Sequence, residues 1–121
     1  MKTDRTATGK RGEDLAAAFL AENGYRILAR NWRCSLGEID IIAAEGTELV
    51  FVEVKSRTSD LFGAPELSVN PRKQKKLASL ALCYITEQSY HNRDASFDVV
   101  TVTFRGTVPR IELIRNAFEL A

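Results

Sequence analysis

The sequence predicts an α/β fold, a mixed central sheet flanked by helices, and three observations predict it. Two stretches, one near the start and one in the middle, repeat their apolar residues at helical spacing. Two arms rich in Ile, Val and Phe surround Glu45-Gly46 and read as a β-hairpin. Asn70-Pro71, a cap residue followed by proline, then opens a helix between that hairpin and two further strand-like segments. The element order is α-β-β-β-α-β-β, which buries apolar faces by packing helices on a sheet.

Taken in order, residues 1–8 are polar and are expected to be flexible. Lys10 to Asn23 is helical, with Leu15, Phe19 and intervening alanines as its apolar stripe and Gly24 as its stop. Tyr25 to Asn31 alternates as a strand, and Arg33 to Gly37 reads as a connection. Glu38 to Ala44 and Glu48 to Ser56 are the hairpin arms. Arg57 to Val69, with Gly63 and Pro65, is loop-like. The second helix runs to Gln88 with Leu77, Leu80, Ala81 and Tyr84 on one face. Phe97 to Phe104 is a strand, Arg105-Gly106-Thr107 turns the chain, and a short strand follows near Ile111 to Ile114, with Asn116 capping a last turn.

At 121 residues the chain is expected to form one domain, 1–121. Its net charge of +1 gives no global pull on a polyanion, so any nucleic-acid surface must be a local basic patch. Two cysteines, Cys34 and Cys83, form neither a disulfide framework nor a zinc spacing, and the single His91 argues against His-based nucleophilic chemistry. The charged start lacks an apolar core and no apolar run approaches the ~20 residues of a spanning helix. The expected location is cytoplasmic, with no membrane partner.

Strand alternation concentrates the chemistry. Glu53 and Lys55 share one face of their strand, with Val52 and Val54 on the other. On the facing arm Glu38 and Asp40 share a face, with Ile39 and Ile41 opposite. An even-length turn centred on Glu45-Gly46 pairs Glu38 with Glu53 and Asp40 with Phe51, which puts Glu38, Asp40, Glu53 and Lys55 on one side. Clustered carboxylates repel and resist desolvation, and a hard divalent cation relieves both. Asp40 and Glu53 are the expected metal ligands, the Val54 carbonyl a further one, and Lys55 the group beside the attacking water. A lone Glu-x-Lys reads more plainly as a solvated salt bridge; the matched Asp40 lifts this set above that reading. Glu38 reads equally as an ion-pair partner, and Glu13 as part of a solvated helix face.

Arg72, Lys73, Lys75 and Lys76 crowd the start of the second helix against its dipole, so an anionic partner or a plain solvated face would suit them. Lys10, Arg11, Arg30 and Arg33 are further candidates for phosphate contact. Trp32 reads as core more readily than as a base-stacking platform.

The segments Gly12-Glu13-Asp14-Leu15-Ala16, Gly24-Tyr25-Arg26-Ile27-Leu28, Asn31-Trp32-Arg33, Gly37-Glu38-Ile39-Asp40-Ile41-Ile42, Phe51-Val52-Glu53-Val54-Lys55 and Asn116-Ala117-Phe118 are similar to those of the bacterial YraN family. The resemblance runs from about Gly9 to Phe118. That family resembles the restriction-endonuclease-like superfamily and, within it, the archaeal Holliday-junction resolvases. The superfamily pattern, an acidic residue followed after a spacer by Glu-x-Lys, falls here on Asp40, Glu53 and Lys55, and the helical glutamate of the resolvase-like branch falls on Glu13. Ile39 stands where the pattern often has proline. The resemblance implies a restriction-endonuclease-like fold, Mg2+ or Mn2+ as cofactor, and DNA as substrate.

The expected function is a metal-dependent endonuclease acting on DNA, with branched or damaged structures as candidate substrates. The alternative is a nucleic-acid-binding module of the same fold with little or no turnover, and a third reading is a structural or partner-binding protein. Junction cutting would suit a homodimer with two sites on two strands.

Overall fold

The structure, a computed structural model, describes residues 7–58 and 69–118. Its elements are α1 (Ala7–Glu22), β1 (Arg26–Cys34), β2 (Gly37–Glu45), β3 (Glu48–Arg57), α2 (Pro71–Gln88), β4 (Ala95–Thr103) and β5 (Arg110–Phe118). This is the predicted order, and it is compatible with a restriction-endonuclease-like fold. The strands form one mixed sheet in the order β1-β2-β3-β4-β5. Only β3 and β4 run parallel, and α2 lies between them in the chain. Parallel neighbours cannot be joined by a tight turn, so a crossover element is required there.

β3 shows how the sheet is shared between two layers. Leu49 and Phe51 join the core with Leu77, Leu80, Ala81 and Tyr84 of α2. Val50 and Val52 join the opposite core with Ala16 and Leu20 of α1. A strand apolar on both faces is what a central position between helices demands. Each core is dominated by fully buried aliphatic side chains from β2, β3 and β4.

The hairpin register differs from the sequence expectation by two residues. Glu45 pairs with Glu48 and Ile41 with Val52, so the turn is Gly46-Thr47, with Gly46 at φ 63°. Such a turn demands positive φ, which glycine adopts at no steric cost. The pairing ends at Ile41 and Val52, so Asp40 is not opposite Phe51 as expected, and Asp40 and Glu53 stand just beyond the paired ladder. A shift of two preserves the side-chain face within the paired stretch, Ile41 to Glu45 against Glu48 to Val52.

Elsewhere the elements are longer than expected. α1 begins at Ala7, so residues 7 and 8 are helical; residues 1–6 lie outside the described residues. The expected 57–69 loop has its 59–68 portion outside them too. β1 runs on through Trp32 to Cys34, and β5 runs to Phe118. Asn31 and Asn116 have φ values of 52° and 50°, a left-handed conformation that asparagine tolerates. Asn116 is therefore an irregularity inside β5 and not a helix cap. Ile39 belongs to the α2-side core and Ile41 to the α1-side core, so they do not share a face as expected. Alternation breaks at Asp40, the residue facing the left-handed Asn31 in the β1–β2 register. Among the described residues no helix is long and apolar enough to cross a membrane.

Candidate functional site

Where β2 and β3 part, the backbone ladder gives way to side chains. Asp40 is buried, 4% exposed, and its Oδ2 accepts the Val54 amide proton at 2.9 Å. Glu53 continues the face of Leu49 and Phe51, which brings it toward α2. There its Oε2 accepts from Lys73 Nζ at 2.6 Å and lies 3.5 Å from Lys55 Nζ. The four expected residues Glu38, Asp40, Glu53 and Lys55 thus gather at one end of the hairpin, and a lysine from α2 joins them.

The charges respond to this crowding. Burial pushes the Lys55 ammonium below its ordinary value, Glu53 draws it back up, and Lys73 lowers it again. Burial also works against the Lys73 charge, but its hydrogen bond and attraction to Glu53 prevail and hold its pKa above the usual lysine value.

Asp40 and Glu53 line a cleft of about 430 Å³ between the β1–β2 turn and α2. Glu38, Arg33, Lys73 and Lys76 line it as well, with Leu36, Leu77 and Leu80 as its apolar part. Glu38 is tied to Arg33 at 3.7 Å. Lys76 runs close over Gly37, where an added Cβ would meet its Cε at 3.2 Å. Among the described residues no three His, Cys, Asp or Glu side chains form a metal cluster. Asp40 and Glu53 are the carboxylates that could hold a cation in this cleft, with the Val54 carbonyl as the further ligand expected from the sequence. That suits a cation such as Mg2+, which keeps several waters and takes only one or two protein carboxylates.

Glu13 reaches the same end of the sheet from the other layer. It is 5% exposed and accepts a hydrogen bond from Asn31 Nδ2 at 3.0 Å. Gly12 permits this approach: a Cβ there would stand 1.8 Å from Ser56 Oγ, so no side chain fits between α1 and β3. The solvated-face reading of Glu13 is excluded by its burial. Asn31, read from the sequence only as the end of a strand, is the hydrogen-bond partner of Glu13, and its left-handed conformation leaves no mark in the sequence.

The remaining basic candidates scatter. Lys10 is exposed and sits 3.7 Å from Asp14, and Arg30 donates to the same carboxylate at 2.7 Å. Arg11 lies over the Phe104 ring at 4.9 Å. Arg72 is exposed at the start of α2 and does not line the cleft. Trp32 packs edge-on to Tyr84 at 5.4 Å, as a core residue does. Cys34 lines the cleft and interacts with Cys83, whose thiol is raised by that contact and by burial.

A second polar cluster lies toward the Glu45 end of the hairpin. Asp98 is buried; it accepts the Asn116 amide proton at 3.0 Å and lies 3.5 Å from the Tyr25 hydroxyl. Arg115 donates to Tyr25 at 2.7 Å and pairs with Glu45 at 2.5 Å. Burial raises the Asp98 carboxyl above its ordinary value, against the lowering pull of the Asn116 amide, Arg115 and Tyr25.

Comparison with known proteins gives one consistent result. Residues 12–102 match the model of an uncharacterised protein family, UPF0102. A UPF0102 protein of Syntrophus aciditrophicus is 52% identical over 98% of this chain and 94% of its own. One from Moorella thermoacetica is 48% identical over 98% and 100%, and one from Geobacter metallireducens is 46% identical over 100% and 99%. Each bears the family designation alone, with no activity in its name.

Proposed function

The chain belongs to the uncharacterised protein family UPF0102, the YraN family, and from the cleft of this member we propose a divalent-metal-dependent endonuclease that hydrolyses phosphodiester bonds in DNA. The observation that carries the reading is that Asp40 and Glu53 line one cleft together with Lys73 and Lys76. Asp40, Glu53 and the Val54 carbonyl would hold Mg2+ or Mn2+, whose Lewis acidity would stabilise charge developing on the phosphate. Lys55, beside Glu53, orients the attacking water and stabilises the departing negative charge. Asp40 is held in place by the Val54 amide. The hydrogen bond from Asn31 to Glu13 ties β1 to α1 behind it. Lys76 and Arg33 contact flanking phosphates from the cleft wall.

One observation favours the second reading, a binding module without turnover: Glu53 is already neutralised by two ammonium groups. A panel of branched, nicked, single-stranded and duplex DNA with Mg2+ or Mn2+ separates the two, with Lys55→Ala as control. Cleavage of any member that disappears with EDTA and with Lys55→Ala supports the enzyme. Salt-dependent binding with no cleavage of any member supports the module.

A further inference from the structure

Lys73 differs from the other basic residues of α2. Its ammonium reaches Glu53 Oε2 at 2.6 Å, closer than Lys55 at 3.5 Å. The helix start fixes where it stands. Asn70 caps α2 by accepting the Lys73 amide proton at 2.9 Å, and Pro71 pre-sets the first turn. A cation in the first turn opposes the helix dipole, so Glu53 holds Lys73 where the helix alone would not favour it. The Glu53 side chain is nearly buried, whereas that of Lys73 is 40% exposed and stands toward the cleft.

We propose that Lys73 is the resident counter-ion of Glu53 in the metal-free protein, and that it yields this carboxylate when a divalent cation binds and turns to a substrate phosphate in the same cleft. The proposal rests on the endonuclease reading. A divalent ion on a carboxylate oxygen sits ~2.0–2.6 Å away. An ammonium kept on the same oxygen would leave two cations within a few ångströms in a poorly solvated site, where repulsion is strong. Lysine carries its charge on a flexible four-carbon stem, so the ammonium can swing without moving α2. Phosphate offers it a new partner in the cleft. Metal and DNA then assist each other, since each supplies what the other's binding displaces. In this scheme Lys73 meets the substrate phosphate only after the exchange and is never a ligand of the metal.

The test needs no DNA. Mn2+ is titrated by calorimetry into the wild type, Lys73→Met, Lys73→Gln and Lys75→Met, each checked for a cooperative melt. Lys73→Met and Lys73→Gln should bind Mn2+ about tenfold tighter than wild type, the order expected when a hydrogen-bonded charge competitor is removed. Lys75→Met should match wild type, because Lys75 is exposed on the same turn of α2 and does not line the cleft. Should Lys73→Met fail to fold, Lys73→Gln carries the comparison. Wild type binding Mn2+ while both Lys73 variants bind equally or more weakly overturns the proposal alone. Absence of binding in all four proteins overturns the endonuclease reading with it.

Discussion

Asp40 Oδ2 accepts the Val54 amide proton at 2.9 Å, so a side chain takes over from the β2–β3 ladder just where the strands part. The carboxylate therefore has a structural task beside the proposed metal task, and substitutions can separate them. Asp40→Asn keeps an acceptor oxygen and should fold normally. Asp40→Ala leaves the amide unpaired and should cost about 1–3 kcal/mol. In thermal melts at constant ionic strength, Mn2+ at ten times its Kd should stabilise the wild type by ~1.4 kcal/mol, a rise of several degrees. Asp40→Asn should lose most of that response. Equal metal shifts in the two proteins would remove Asp40 from the ligand set.

Cleavage should fall at least ~100-fold in Glu53→Gln and in Lys55→Ala, the scale seen when one group that stabilises developing charge is deleted. The two should differ in metal binding: Lys55→Ala keeps its response to Mn2+, and Glu53→Gln loses it. Single-turnover rates beside melts of the same samples would show this. Unchanged cleavage by Lys55→Ala would end its catalytic assignment.

Salt dependence of DNA binding should divide the basic residues by position. Each lost phosphate contact flattens the slope of log K against log salt by about 0.9. Lys76→Ala should do so with or without metal. Lys73→Ala should do so only when Ca2+ is present, because in EDTA its ammonium belongs to Glu53. Lys10→Ala and Arg72→Ala should leave the slope as it was, since neither residue lines the cleft. A full loss for Lys73→Ala in EDTA would contradict the pairing with Glu53.

Asp98 should make the fold respond to pH. Its folded pKa is raised above the ordinary 3.8 by burial. The native state then holds the proton more tightly than the unfolded chain, so this contribution is fully present below 3.8 and is lost as pH rises through the folded value. Asp98→Asn keeps an acceptor for the Asn116 amide and carries no charge. The difference in unfolding free energy, Asp98→Asn minus wild type, should grow with pH across that window and level off above it. Urea melts at several pH values would read it. A flat difference would show that Arg115 and Tyr25 cancel the cost of burial.

Gly12→Ala should destabilise the protein by about 1–3 kcal/mol, as overpacking does, because the new methyl would fall 1.8 Å from Ser56 Oγ. Ser56→Gly in the same chain should recover most of the loss. A melt of Gly12→Ala alone at the wild-type temperature would mean that Ser56 yields to the methyl at no cost.

Alternation and turn chemistry made most of this legible in the sequence. Glu53 and Lys55 share a face by simple alternation along one strand, and the hairpin slip of two residues left faces unchanged within the paired stretch; Asp40 meets Glu53 in the cleft past the end of that stretch. The kink at Asp40 was hidden, because it depends on Asn31 adopting a left-handed conformation inside a strand, and composition gives no sign of that. Lys73 was visible only as one charge in a basic run. Which of four such residues turns toward Glu53 is decided by the Asn70 cap and the path of α2, and that is tertiary information. Glu13 was undecided for the same reason, until Gly12 was seen to let α1 lie against β3.

Trp32 is the chain's single tryptophan, set edge-on to Tyr84 of α2 and followed in β1 by Arg33 and Cys34 of the cleft wall. The indole is thereby a built-in optical gauge of the distance between the β1–β2 hairpin and α2. Its emission wavelength and quenching by the nearby thiol will register any opening of that seam, in unlabelled protein and on the millisecond scale of a stopped-flow mixer. Ligand entry can therefore be watched from inside the molecule, before any bond is cut.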